Sequence, residues 1–245
     1  MLMTNTYKIG GKIIGIDSLY GDVHTLCREY TCSQSPDFWL KTTQEDIDFE
    51  RTKSRTEDEI EGNPIREFSD SYLETLAVYR KIADRLIEYG IVLFHGSVVA
   101  VDGAAYLFTA KSGTGKSTHT RLWREYLGKR AVMVNDDKPL LKLTEKGVIV
   151  YGTPWDGKHR LSCNISVPLK AICILERAEK NHIEKIPRQQ AYPMLLQQTN
   201  RPQDCLKMEK TLEILDEIAE RIAFYKLGCN MDIEAAEIAY NAMKG

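Results

Sequence analysis

Runs of apolar, often β-branched residues predict a central β-sheet from residue 91 onwards. Two of these runs, IVLFHGSVVAV (91–101) and AAYLFTA (104–110), flank Asp102–Gly103, and Asp-Gly between two such runs is a strong hairpin signal. Further strands are predicted at AVMVNDD (131–137), on both sides of a turn in KPLLKLTEKGVIVYGTP (138–154), at PLKAICILERA (168–178) and, at a sheet edge, at IEKIP (183–187). We therefore expect a mixed β-sheet at the core of an α/β protein.

Helical periodicity is clearest in SDSYLETLAVYRKIADRLIEYG (69–90). Ser71 and Glu74 have the spacing of a capping box, and Gly90 is typical of a helix end. The apolar stripe of this helix is predicted to consist of Tyr72, Leu76, Tyr79, Ala83 and Leu86. A second helix is predicted from Lys116 to about Leu127, with Gly128 as its stop, and the pattern from about residue 189 to the C-terminus is helical.

The N-terminal part of the chain gives a weaker pattern. YKIGGKIIGI (7–16) predicts a short strand or hairpin. From there to about Pro64 both signs of charge alternate with isolated apolar residues, which favours solvated strands or loops. We therefore expect residues 1–68 to form a strand and loop region packed on the core, and residues 69–245 to form the main domain, with its C-terminal helices starting at about 189.

Composition narrows the classes of partner. The 245 residues are 43% hydrophobic and 28% charged with a net charge of −2, which is typical of a soluble globular protein and gives no reason to expect nucleic acid or a membrane as partner. The N-terminus lacks the apolar segment of a signal peptide, so a cytoplasmic location is expected. The six cysteines include no CxxC pair, so they are expected to be reduced thiols and not a disulfide or zinc framework.

The stretch AKSGTGKS, from Ala110 to Ser117, has the spacing of a phosphate-binding loop between a strand and a helix. Two glycines let successive N–H groups turn inward at the start of the helix, where they form an anion site. A lysine at this position reaches the β- and γ-phosphates, and the following hydroxyl binds Mg²⁺. The residues predicted to bind the nucleotide are Lys111, Ser112, Gly113, Thr114, Gly115, Lys116, Ser117 and Thr118. ATP and Mg²⁺ are the expected cofactors.

Two adjacent acids, Asp136 and Asp137, end the next predicted strand. A strand end beside a phosphate loop is where a metal-holding carboxylate is expected. Our hypothesis is that Asp136 acts as general base towards an attacking hydroxyl and that Asp137, with Ser117, supports Mg²⁺. The alternative is a solvated turn, since Asn-Asp-Asp also favours turns.

Three other places carry polar residues that are candidates for the site. His95 lies in the apolar run 91–101, the first strand of the predicted hairpin, where a histidine is commonly a buried core residue. The segment TPWDGKHRLSCN (153–164) could bind phosphate or acceptor through Lys158 and Arg160, or form an exposed turn, and Arg201 could contact phosphate or adenine.

The quoted residues resemble the C-terminal catalytic domain of HPr kinase/phosphorylase. The resemblance covers FHGSVVAVDGAAYLFTAKSGTGKST and VNDDKPLL, extends over about residues 92–176, and is closest to the short HPr-kinase-related proteins of bacteria. It implies a phosphate-loop-containing mixed-sheet fold shared with ATP-dependent phosphoenolpyruvate carboxykinases. It also implies that His95 lies near the phosphates as a catalytic residue beside Asp136. Thr118 stands where those kinases usually carry Glu, and PWDGKHRL stands where they carry Glu-x-Arg-Gly-x-Gly, so the resemblance does not extend to HPr as the acceptor.

The leading functional hypothesis is an ATP-dependent phosphotransferase acting on a hydroxyl of a protein serine or of a small molecule. Two alternatives stay open at this stage. One is a carboxykinase-like enzyme, and the other is a nucleotide-binding regulatory module that hydrolyses slowly or not at all.

Overall fold

The computed structural model describes residues 3–245, except the side chain of Glu61, and divides into two compact units. The first ends at Arg85 and the second begins at Leu86. The boundary lies later than the 68/69 position expected above, because helix α3 (Asp70–Leu86) closes the first unit. Its buried Glu74 accepts hydrogen bonds from the backbone N–H groups of Leu19 (2.6 Å) and Tyr20 (2.8 Å).

The first unit is built on a three-stranded sheet with the order β1-β2-β3. Strands β1 and β2 form the hairpin predicted at residues 7–16, and its turn, Gly10–Gly11, has two positive φ angles that glycine adopts without strain. Strand β3 runs parallel to β2. The elements are β1 (Met3–Ile9), β2 (Lys12–Ser18), α1 (Asp22–Leu26), a 3₁₀ turn (Arg28–Tyr30), β3 (Phe38–Lys41), α2 (Gln44–Glu61) and α3.

Helix α2 corrects the prediction of solvated strands or loops before Pro64. Thr43 and Asp46 form a capping box at its start, and Gly62 ends it in the left-handed conformation. Its charges belong to helical and tertiary pairs, such as Asp58 with Arg66 at 2.6 Å. The helix was missed because its apolar stripe is narrow, and charge mixing alone does not exclude a helix.

Helix α3 confirms the predicted helix, but its start and its buried face differ from the prediction. The side chain of Ser69, and not of Ser71, accepts the N–H of Tyr72. Tyr72 is exposed, whereas Leu73 and Ala77 are fully buried. Glu74 is therefore used in a tertiary contact and not in a capping box.

The second unit is built on a nine-stranded mixed sheet. The order is β4-β8-β9-β10-β6-β5-β7, with β12 beside β10 and β11 at the edge beside β12. The strands are β4 (Ile91–Leu93), β5 (Ser97–Val101), β6 (Ala104–Thr109), β7 (Ala131–Asn135), β8 (Leu140–Thr144), β9 (Gly147–Tyr151), β10 (Ser166–Arg177), β11 (His182–Ile186) and β12 (Ala223–Cys229). The helices are α4 (Lys116–Leu127), α5 (Arg188–Gln198), α6 (Cys205–Arg221) and α7 (Glu234–Met243), with 3₁₀ turns at Ile87–Tyr89 and Gly128–Arg130.

Successive side chains of a strand point to opposite sides of the sheet, and helices pack against both of its faces. Val98 and Leu107 belong to a buried cluster with residues of α5 and α6. Val99 and Phe108 belong to a second cluster with residues of α4 and α7. The predicted α/β class and the hairpin at Asp102–Gly103 are confirmed.

Two segments of the second unit correct the sequence prediction. The run 91–101 is not one strand: β4 pairs with β8, β5 pairs with β6 and β7, and His95 lies in the connection between β4 and β5. The C-terminal region is not wholly helical, because IAFYKLG contributes to β12, an inner strand parallel to β10. Both faces of β12 are covered, so its sequence lacks the polar alternation that would distinguish it from the helix before it.

All six cysteines have free thiols, as expected. Among residues 3–245, no helix combines the length and the apolar character needed to cross a membrane.

Candidate nucleotide and acceptor site

Strand directions bring several chain segments to one edge of the larger sheet. Strands β10 and β12 run parallel to β6, so their carboxyl ends lie at the same edge. Strand β7 also ends there, because β5, which lies between β6 and β7, is antiparallel to both. The glycine-rich loop after β6 therefore lies near the two acids after β7, and the start of β5 lies between them.

The loop from Ala110 to Gly115 is a compact turn. Gly113 and Gly115 have φ angles of 73° and 117°, which other residues rarely adopt. Thr114 closes the turn on the carbonyl of Lys111 with its N–H (3.3 Å) and its hydroxyl (2.8 Å). From the end of β10, Arg177 donates to the carbonyl of Gly113 at 2.7 Å, which ties the loop to the neighbouring strand.

Helix α4 starts at this loop without a side-chain cap. The first turn of a helix has N–H groups without intrahelical partners, and the first turn of α4 directly follows the loop. Lys116 folds back so that its ammonium lies 3.4 Å from the carbonyl oxygen of Ala110. Burial lowers the pKa of Lys116, and the nearby Asp137 carboxylate opposes this shift.

Asp136 is a buried carboxylate at the end of β7 and is 6% exposed. Its Oδ1 accepts the hydroxyl of Ser97 at 2.6 Å, and the hydroxyl of Ser117 lies nearby. Its backbone N–H donates to Asp156 Oδ1 at 2.8 Å. Burial raises the pKa of Asp136, the Asp156 carboxylate adds to this shift, and the two serine hydroxyls oppose it.

Asp137 has different surroundings. Its Oδ1 lies 3.1 Å from His95 Nε2 and 3.8 Å from the ammonium of Lys138. Burial alone would raise the pKa of Asp137, but the contacts with His95 and Lys138 outweigh burial and lower it. The pKa values of the two adjacent carboxyl groups are therefore shifted in opposite directions.

Asn135 fixes the turn that carries both acids. Its buried amide nitrogen donates to the Thr153 carbonyl (3.2 Å) and the Trp155 carbonyl (3.2 Å), and its oxygen accepts the N–H of Asp137 (2.9 Å). The segment after Thr153 is thereby held against the end of β7. Gly157 in this segment lies so close to Asp136 that a Cβ atom at position 157 would be 2.8 Å from Asp136 Oδ2.

The remaining basic residues that the sequence predicted as phosphate or acceptor contacts are exposed, and no contact with Asp136 is seen for them among the described residues. Lys158 and Arg160 are exposed, and the segment instead presents Asp156 and Gly157 to Asp136. Arg201 is exposed in the segment after α5, where the Gln198 carbonyl accepts the N–H of His95 at 2.7 Å.

Two cavities lie beside the loop and share Thr118. The first, which we call the Asp136 cavity, has a volume of about 420 Å³ and is lined by Ser117, Thr118, Thr120, Arg121, Arg124, Met133, Asp136, His159 and Leu161. The second, which we call the Arg177 cavity, has a volume of about 550 Å³ and is lined by Gly113, Thr114, Gly115, Thr118, His119, Leu122, Arg177, Ala178, Cys229, Asn230 and Met231. Asp137 lines neither cavity.

Sequence reasoning missed Ser97, Arg124, Asn135, Gly157 and Arg177. Arg124 had a detectable signal, because Ser117, Thr120, Arg121 and Arg124 have the i, i+3, i+4, i+7 spacing of one helix face. Ser97 and Arg177 had none, since their place at the site depends on which strand ends meet.

These features define an α/β protein with a glycine-rich loop between a sheet strand and a helix. The family model of the SynChlorMet cassette protein ScmC matches residues 65–234, so the chain belongs to this family. No curated protein matches the sequence. Among solved structures, the Hpr(Ser) kinase/phosphatase from Coxiella burnetii is similar at 11% sequence identity and a TM-score of 0.34, over 62% of this chain and 99% of its own. Since the family model names ScmC, the resemblance to HPr kinases stays a prediction.

Proposed function

We propose that this protein is an ATP-dependent phosphotransferase that moves the γ-phosphate to a hydroxyl of a small molecule or of a protein serine. The observation that carries the proposal is that Ser117, at the start of α4, and the buried Asp136 line the same cavity, which is large enough for an acceptor. A phosphate-binding element and a buried carboxylate thus meet at one point, which is what transfer to a hydroxyl requires.

The loop fits a nucleotide. Its two positive-φ glycines and the uncapped start of α4 provide inward N–H groups, and Lys116 adds a cation that has no carboxylate partner within ion-pair distance among the described residues. The triphosphate would bind along residues 111–118. The Arg177 cavity, on the side of the loop away from Asp136, is the proposed place for the nucleoside.

The donor set fits Mg²⁺ better than a transition metal. Within residues 3–245, no group of three or more His, Cys, Asp or Glu side chains could hold a metal ion. Mg²⁺ is commonly held by one or two carboxylates together with substrate phosphates and water, so a dedicated cluster is not needed. Ser117 and Asp137 are the proposed protein ligands, and the bound ion would neutralise negative charge on the phosphates.

The proposed roles of the two acids follow from their opposite pKa shifts. Asp136, whose pKa is raised and which lines the cavity, is the better proton acceptor. Asp137, whose pKa is lowered, stays charged and suits a cation. In the proposed step, the acceptor oxygen forms a bond to the γ-phosphorus while the bond from that phosphorus to the bridging oxygen breaks. The electron pair of that bond leaves with ADP, the hydroxyl proton moves to Asp136, and Lys116 stabilises the charge on the transferring group.

The test uses the full chain with Mg²⁺ and ATP labelled at the γ-phosphate. Free serine, small alcohols, HPr-like proteins and cell extract serve as acceptors. Label on an acceptor supports the proposal. Label in inorganic phosphate alone would support a nucleotide-hydrolysing regulatory module instead, and turnover that requires oxaloacetate would support a carboxykinase-like enzyme. Failure to bind any nucleotide would contradict all three.

Changing Gly157 to Ala is expected to impair transfer more than nucleotide binding. The added Cβ would displace the Asp136 carboxylate, and a misplacement of about 1 Å can cost on the order of 10²-fold in rate. The measurement is kcat for transfer beside the dissociation constant of ATP. In the D136N background the same change should have little further effect, since the two residues are in contact; equal losses in both backgrounds would show that Gly157 acts elsewhere.

A further inference from the structure

Arg124 lines the Asp136 cavity, and the proposed function gives it no role. Its Nε is buried and has no hydrogen-bond partner in the structure. Arg121, the other arginine of the cavity, is instead paired with Glu125. A buried N–H group of a cation without a partner is unfavourable, and such groups in native proteins call for an explanation, which a bound ligand can provide.

The position of Arg124 separates it from the phosphates of the nucleotide. It lies two turns after Ser117 on the same face of α4, which is about 10 Å along the helix axis. Both Ser117 and Arg124 line the Asp136 cavity, so this cavity extends along about two turns of α4 from the start of the helix.

The charged residues that line the cavity favour a ligand that carries both a hydroxyl and an anionic group. Asp136 is the proposed proton acceptor for a hydroxyl, whereas the guanidinium of Arg124 attracts an anion. Arginine binds carboxylate and phosphate groups through its planar fork of N–H donors.

Resting on the proposed function, we infer that the acceptor carries, besides its reactive hydroxyl, a carboxylate or phosphate that binds Arg124. Arg124 thus determines which hydroxyl compounds are phosphorylated and has no role in the transfer step itself. The long stem of the side chain packs independently of its charge, so the R124K and R124Q variants should fold.

The binding experiment uses simple anions as probes, so it does not depend on the identity of the acceptor. The full chain is saturated with Mg²⁺ and an imido-bridged, non-hydrolysable ATP analogue, and arginine Nε–H signals are followed by NMR, with Arg124 assigned by its loss in R124Q. Acetate or phosphate is expected to shift the Arg124 signal saturably, and the anion that does so distinguishes carboxylate from phosphate. Chloride at equal ionic strength should not shift the Arg124 signal saturably. The signal of Arg188, which is paired with Glu220 outside the cavity, should not respond saturably to acetate or phosphate. Absence of a saturable shift with both anions would overturn the inference.

The kinetic experiment compares matched acceptors, L-serine with L-serinamide and glycerol 3-phosphate with glycerol. In one pair, the acceptor with the anionic group is expected to exceed the counterpart without it by about tenfold or more in kcat/KM, which corresponds to one charge-assisted contact. R124Q should remove this preference and leave the compound without the anionic group unaffected, R124K should retain part of it, and the control R188Q should retain it fully. Equal losses for both compounds of a pair in R124Q would overturn the inference, and if no compound is turned over the NMR experiment decides. Failure of the wild type to bind the ATP analogue would instead contradict the proposed function.

Discussion

Changing Asp136 to Asn is expected to reduce the rate of phosphoryl transfer by about 10²–10⁴-fold, the usual contribution of a general base. The asparagine side chain can still accept the hydroxyl of Ser97, so the local structure should be kept. Nucleotide affinity should change little, because the proposed triphosphate contacts come from the loop and from Lys116. The measurement is single-turnover transfer beside equilibrium binding of ATP.

The same variant should be as stable as the wild type, or more stable. The Asp136 carboxylate is buried, and its burial opposes ionisation, so removing the charge relieves a cost of folding. Thermal unfolding provides this comparison. D102N is the matched control, because Asp102 is exposed at the hairpin turn, has a φ of 50° that Asn also adopts, and lies outside the site.

The D137N variant distinguishes the roles of the two acids. With Asp137 as the metal ligand, D137N should raise the Mg²⁺ concentration needed for half-maximal rate, whereas D136N should lower kcat at saturating Mg²⁺. Ser117 and Asp136 line the same cavity, so the reverse pattern is the specific alternative. Such a reversal would assign Asp136 to the metal and contradict the assignment of the general base.

The parts of the candidate site that the sequence predicts are those contained in one short segment. Gly113, Gly115 and Lys116 lie in a contiguous loop whose conformation follows from glycine and from the start of a helix. Asp136 and Asp137 follow an apolar strand, and strand ends at a sheet edge are common sites of function. Their opposite pKa shifts were not predictable, because they depend on Ser97, Asp156 and His95, which are brought in by other strands and loops.

The fold shows the same division between local and non-local information. The hairpin at Asp102–Gly103 and helix α4 are set by turn and cap residues, and both were predicted. The separation of β4 from β5 was not, because it depends on strand pairing: β4 pairs with β8, whereas β5 pairs with β6 and β7. Pairing of this kind is visible only when the partner strands are known. The proposed acceptor cavity could not be predicted for the same reason, since it joins α4 to the segment after β9.

Changing Lys116 to Met is expected to have the largest effect on both binding and transfer. Methionine keeps the apolar stem and removes the cation, so a contact with the triphosphate worth about 1.5–3 kcal/mol is lost, or roughly 10–100-fold in ATP affinity. Transfer at saturating ATP should fall by a further 10²–10³-fold or so, because charge developing on the transferring group is no longer stabilised. The measurements are titration with ATP and single-turnover transfer.

The matched control for K116M is K129M, which removes a lysine at the opposite end of α4, where the side chain is exposed and far along the helix from the loop. Folding of K116M should be intact, since burial disfavours the charged form of Lys116 and its one hydrogen bond, to the carbonyl of Ala110, is long. A K116M protein that binds ATP and transfers phosphate as well as K129M would show that the loop does not hold the triphosphate. The two acids would then lack a phosphate to act on, and the anion specificity inferred for Arg124 would lose its basis as well.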